Sequence, residues 1–208
     1  VRLGNILFIH IPRTGGTHFE KLLGFKGHDS PPRCGNADYP TNHKEIMGWD
    51  KHLGIMLQHA TYPEMVKHGL YKPEEELVTV SIIRDPYQRA VSLFKYYGGD
   101  KKWKSFNNFL KILSSSLHTR YFYYPQCEYL IQEEEVVIKN LIRFENYQED
   151  MERFSDENNL DLQVTFDSAM QKEKTEKNLK KYYINPEHTK TVERVYARDF
   201  ELLGYPHL

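Results

Sequence analysis

The chain has 208 residues, enough for one sizeable core, and its 39% apolar and 27% charged residues exclude a disordered or fibrous protein. A formal charge of -1 excludes a protein whose main task is coating nucleic acid, so any anion site must come from local placement of basic groups. No internal repeat, low-complexity segment or second domain stands out, and residues 1–208 read as a single domain.

In chain order, "NILFIHI" (Asn5 to Ile11) is a short β-branched run closed by Pro12, the pattern of a buried parallel strand. "PRTGGT" follows, and then "GTHFEKLLG", with Phe19, Leu22 and Leu23 at helical spacing and Gly24 as a stop. Residues Phe25 to Asp50 form a long irregular excursion expected at the surface near a ligand. "TYPEMVKHG" predicts a helix capped by Thr61, with Pro63 and Glu64 in its first turn. "ELVTVSII" predicts a second strand ending at Arg84-Asp85-Pro86, where Asp85 is a helix cap, Pro86 the first helical residue and Gln88 the partner in a capping-box pattern.

"SFNNFLKIL" reads as a short amphipathic helix, and "VVIKNLIRFENY" as a third strand region feeding an acidic, exposed helix, "QEDMERFSDENN". Phe166 to Lys181 is Lys-rich and weakly periodic, hence a loop or frayed helix. Asn185-Pro186 caps "EHTKTVERVYARDFELL", read as one helix with Val192, Val195, Tyr196, Phe200 and Leu203 on one face and Gly204 at its end. Strands alternating with helices predict an α/β fold with a mainly parallel sheet.

In "PRTGGT" the glycines let the backbone approach an anion, whose charge suits the N–H groups at a helix start. Arg13 adds a cation, Thr14 and Thr17 add hydroxyls, and the ending lacks the Gly-Lys-Ser/Thr of an ATP-binding loop. A tight turn with an incidental arginine is the competing reading. Arg84 stands at the carboxyl end of a predicted strand, where open α/β sheets bind ligands, and Ser92 lies two turns into the next helix. A guanidinium grips a phosphate through two hydrogen bonds, so the two junctions together imply a ligand with two separated anionic groups.

"HIPRTGGTHF" resembles the 5'-phosphosulfate loop of sulfotransferases, typically His-Ile-Pro-Lys-Thr-Gly-Gly-Thr-Ser, and "IIRDPYQRAVSLF" resembles their 3'-phosphate motif, Arg-Asp/Asn-Pro-x-x-Arg-x-x-Ser. The likeness is to the carbohydrate-type branch that includes the heparan sulfate 2-O and 6-O sulfotransferases, and "QHATYPEMV", "IRFENYQED" and "YARDFELLGY" extend it along the chain. It implies a P-loop-like three-layer fold with a central, mainly parallel sheet between helices. It also implies the donor 3'-phosphoadenosine 5'-phosphosulfate (PAPS), with the desulfonated nucleotide PAP as product. The donor's 5' end would lie on Arg13, Thr14, Gly15, Gly16, Thr17 and His18, and its 3'-phosphate on Arg84 and Ser92.

Sulfonate would pass to an acceptor hydroxyl, most readily on a carbohydrate, with small metabolites or a protein tyrosine as rival acceptors. Arg13 would stabilise the leaving group, and His59 would be the base, its ordinary pKa of about 6.5 suiting neutral pH; His52, His10 and Glu64 are alternatives. Arg13 stands where the family usually has Lys, and His18 where it has Ser or Thr, which motivates a second reading as a catalytically weak nucleotide binder.

The ten scattered histidines form no metal motif, and the reaction needs no metal. Cys34 and Cys127 leave one bridge open without indicating it. "SSSLHTRYFYYPQCEY", with Arg120 and the four consecutive aromatic rings of Tyr121 to Tyr124, lines an acceptor site or packs a loop on the core. Lys172, Lys174, Lys177, Lys180 and Lys181 close over the nucleotide or form a solvated face. Runs such as "ILFIHI" are far short of the roughly 20 residues that span a bilayer, so neither a membrane nor a nucleic acid is an expected partner. The compartment stays open: cytoplasmic for a complete chain, Golgi lumen if an N-terminal anchor has been trimmed.

Overall fold

The computed structural model describes residues 1–24, 41–117, 119–164 and 179–208. The chain packs as two compact units, Val1–Ile83 with Tyr129–Thr165 and Arg84–Glu128 with Phe166–Leu208.

The first unit is α/β. Its sheet has the order β1 (Arg2–Leu3), β2 (Ile6–Ile9), β5 (Val78–Ile83), β8 (Asn140–Arg143); β1 runs antiparallel to β2, and the other pairings are parallel. All four residues of β2 are buried, as a strand covered on both faces requires. Register is pinned by side chains as well as by the ladder: Ser81 donates to the Ile9 carbonyl at 2.8 Å, and Asn140 donates to the Thr79 carbonyl at 2.9 Å.

Helix α1 (Gly16–Leu22) leaves the carboxyl end of β2, and its Phe19 ring packs edge-on against Phe8 at 4.7 Å and Phe154 at 6.0 Å. Phe154 lies on α7 (Tyr147–Glu157), which buries Tyr147, Asp150, Met151 and Phe154. The segment read as an exposed acidic helix is therefore half-buried; its apolar residues recur every three or four positions behind a charged face. Short hairpins β3 (Trp49–Asp50) with β4 (Ile55–Met56) and β6 (Ile131–Gln132) with β7 (Glu135–Val136) complete the sheet structure. Helix α2 (Tyr62–Lys67) has the full capping box: Thr61 accepts from the Glu64 amide, and Glu64 accepts from the Thr61 amide.

The second unit is helical, with α3 (Pro86–Tyr96), α4 (Gly99–Trp103), α5 (Phe106–Ser115), α8 (Pro186–Val195) and α9 (Ala197–Leu203). The short α6 (Cys127–Leu130) carries the chain back to the first unit. The core is aromatic. Tyr87 meets Tyr183 at 5.3 Å and Phe200 at 5.1 Å, and Phe106 meets Phe94 and Tyr183, each at 5.4 Å.

The single C-terminal helix expected from periodicity is two, broken at Tyr196. The buried Tyr196 side chain packs under the Arg89 guanidinium, 5.5 Å from its ring centre, and the new direction of α9 brings the Asp199 carboxylate to the amides of Gln126 and Cys127. Amphipathic spacing survives such a break, so periodicity alone does not reveal it. Most of the Phe25 to Asp50 excursion, Cys34, and the Lys172, Lys174 and Lys177 part of the basic run lie outside the described residues.

Candidate functional site

The first unit carries the loop between β2 and α1. Arg13 takes φ 69° and Gly15 φ 100°. The left-handed region is open to glycine but costs a side-chain-bearing residue roughly 1–2 kcal/mol, and such strain gathers at ligand-binding positions. Thr14 is buried and its hydroxyl donates to the Ile11 carbonyl at 2.9 Å, so toward an anion it offers its backbone rather than its hydroxyl. Thr17 is exposed. His18 is buried with Nδ1 2.9 Å from the Tyr147 hydroxyl, so the residue standing in a Ser/Thr position is tied to the first residue of α7.

Gly16 is required by a close approach. A Cβ there would sit 2.5 Å from His10 Nε2 and 2.9 Å from its Cγ, and nearer still to Cδ2. The His10 ring cannot readily give way, because Nδ1 lies 2.6 Å from Glu20 Oε1. Gln58 Nε2 donates to both Glu20 oxygens, at 3.1 and 2.9 Å. All three side chains are buried, and a buried carboxylate is tolerated when its lone pairs are met this way.

His59 closes a short 3-10 turn (Leu57–His59) before the Thr61 cap. Its Nδ1 is 2.9 Å from the His10 carbonyl. A carbonyl only accepts, so Nδ1 carries the proton and Nε2 is the acceptor in the neutral ring. The His10 and His59 rings meet edge to face at 4.5 Å. Burial, reinforced by His10, pushes the His59 pKa down to about 3, which corrects the expectation of an ordinary imidazole. Of the alternative bases, Glu64 is engaged in the capping box, His52 is exposed, and His10 is occupied by Glu20.

The second unit carries Arg84 and Ser92, both buried. Arg84 follows β5 directly, and the Gln126 side chain clasps its backbone: Oε1 accepts from the Arg84 amide at 2.8 Å, and Nε2 donates to the Arg84 carbonyl at 2.7 Å. Asp199 in turn accepts from the amides of Gln126 at 2.9 Å and Cys127 at 2.8 Å. Desolvation holds its carboxyl pKa above the usual range, and Arg89 opposes that shift. Asp85 caps α3 by accepting from the Gln88 amide at 2.8 Å.

Arg89, the second arginine of the quoted motif, is fully buried and donates to the carbonyls of Tyr124 at 2.9 Å and Phe122 at 3.3 Å. It fastens the "RYFYYP" segment, in which Phe122 and Tyr123 are buried, so this stretch serves packing at those two rings. Sequence reasoning missed Glu20, Gln58, Gln126, Asp199 and Tyr147. The one usable signal was Glu20, a charge next to Phe19 on the helix face that carries Gly16. Among the described residues no group of His, Cys, Asp and Glu could hold a metal ion.

A buried parallel strand passes through a strained basic residue and a glycine turn into a helix, within an α/β unit. Its central, mostly parallel sheet lies between flanking helices, as the sequence predicts. A profile of the Sulfotransferase family matches residues 3–206, and the chain belongs to that family. Comparisons with curated proteins and with solved structures give no match.

Proposed function

We propose that the protein transfers a sulfonate group from PAPS to an acceptor hydroxyl on a carbohydrate. The observation that carries this reading is the loop after β2, where strained Arg13 and left-handed Gly15 precede α1 over a braced His10. Such a loop suits the phosphosulfate end of a donor. Arg84, its backbone clasped by Gln126, and Ser92 suit the 3'-phosphate.

The donor, when bound, supplies the sulfonate and a phosphate leaving group. Arg13 meets the charge that develops on that phosphate as the sulfur–oxygen bond breaks. His59 receives the acceptor proton at Nε2 as the new bond forms. A pKa near 3 makes it a weak acceptor in isolation, so the proton moves late, once bonding to sulfur has made the hydroxyl acidic. Polyanionic donor near the ring would raise its proton affinity. A glycan acceptor is supported by likeness to the carbohydrate branch and by charge distribution. The second unit holds more Lys and Arg than Asp and Glu, with Lys101, Lys102, Lys104, Lys111 and Lys180 exposed, while the first unit holds the acidic surplus.

Calorimetry with PAP against magnesium ATP tests the donor. Micromolar PAP binding that collapses in Arg84→Ala is expected; preference for ATP would overturn the assignment. The tie between His18 and Tyr147 favours, as a second reading, a protein that binds donor but turns over slowly. Labelled-donor transfer across a panel of glycans, phenols and tyrosine peptides separates the two readings.

A further inference from the structure

The Glu20 network lies under the anion loop and is not used in the steps above. Glu20 is on α1, His10 follows β2, and Gln58 sits in the turn before α2, so one carboxylate joins three separate segments. An apolar side chain would pack α1 as well without the desolvation that a buried carboxylate incurs. What Glu20 adds is orientation. It holds Nδ1 of His10 so that the opposite edge of the ring, Cδ2 and Nε2, lies flat under Gly16. The carbonyl of the same residue holds Nδ1 of His59 and thereby leaves Nε2 as the accepting nitrogen. Loop and base are thus referenced to one residue, and that residue is referenced to Glu20.

We propose that Glu20 is a positioning residue for sulfonate transfer, acting through His10 to hold the anion loop and the His59 ring in one working geometry. The proposal rests on the reading of this loop and of His59 given above. Glu20→Gln keeps the volume and removes the charge, leaving an amide that cannot satisfy both His10 and Gln58 as the carboxylate does.

The test uses the full chain and two readouts: PAP affinity by calorimetry, and hydrolysis of radiolabelled PAPS, in which water serves as acceptor. Four proteins are compared: wild type, Glu20→Gln, His59→Ala and the double variant. Glu20→Gln is expected to lower turnover at least tenfold and PAP affinity about fivefold. In the His59→Ala background the turnover loss should shrink to no more than the factor lost in affinity, the part carried by the loop and its Arg13, because the part that acts through His59 has no separate effect once His59 is gone. A general structural role would instead give the same fractional loss in both backgrounds, and that result overturns the proposal, as does Glu20→Gln turnover within twofold of wild type.

If His59→Ala is as active as wild type, the base assignment falls by itself, and PAP affinity decides the role of Glu20: an unchanged value overturns it, and a fivefold loss retains its hold on the loop. Gln58→Met, which removes the second donor to Glu20 at similar volume, should show the same pattern at smaller amplitude and serves if Glu20→Gln does not fold.

Discussion

Gly16→Ala separates two expectations of opposite sign. In an ordinary helix this change is favourable, by about 0.5–1 kcal/mol through propensity and a less flexible unfolded chain. Here the added methyl meets the His10 ring at 2.5 Å from Nε2 and 2.9 Å from Cγ. The ring is 3% exposed and fastened to Glu20, so it can move only by breaking that bond and crowding Phe8, whose ring is stacked 5.3 Å away. Overpacking of a tight core costs about 1–3 kcal/mol. The propensity gain offsets part of it, leaving a net loss of about 1–2 kcal/mol, or roughly 2–8 °C in Tm for a chain of this size.

Urea unfolding and scanning calorimetry read the effect directly, and His10→Ala combined with Gly16→Ala should remove most of the additional penalty. A Gly16→Ala protein as stable as wild type would refute the close approach. The account of how the loop is braced would then fall with it.

Asp199→Ala strips the acceptor from the buried amides of Gln126 and Cys127 and should cost about 2–6 kcal/mol in urea unfolding, each unmet donor counting about 1–3; PAP binding should weaken too, because the Arg84 clasp depends on Gln126. Thr61→Ala should lose about 1 kcal/mol with its cap, with little change in PAP affinity. The folded His59 pKa of about 3 lies below its ordinary 6.5, so the unfolded chain takes up the proton first as pH falls. Stability is then lost from pH 6.5 towards 3, by up to about 2 kcal/mol at pH 5, and a His59→Gln variant should lack that component in unfolding curves measured across pH. Arg13→Lys, which restores a compact ammonium, should raise donor turnover severalfold if the natural loop is compromised; unchanged turnover would show that the guanidinium is an adequate partner.

What was legible in the sequence was local. Pro12, the glycine pair and Thr61 each declare a conformation within a few residues, and the structure shows the strand, loop and capped helix there, with Glu64 completing a capping box that was expected only at Asp85 and Gln88. What was illegible was whatever depends on partners far along the chain. Gln126 and Asp199 are 73 positions apart, and nothing in their neighbours marks either as a support for Arg84. His59 was singled out through the family resemblance, and its pKa departs from the ordinary value expected there because it depends on burial beside His10, 49 positions away.

The net charge is silent about distribution for a related reason. The value of -1 for the whole chain is the sum of an acidic unit and a basic one, as the expectation of locally placed basic groups allows. Ligands respond to charge within about a Debye length, roughly 8 Å at physiological salt, far less than the span of a unit. The quantity relevant to any charged ligand is therefore a local surplus such as that of the exposed Lys101, Lys102 and Lys104, which a whole-chain total cannot express.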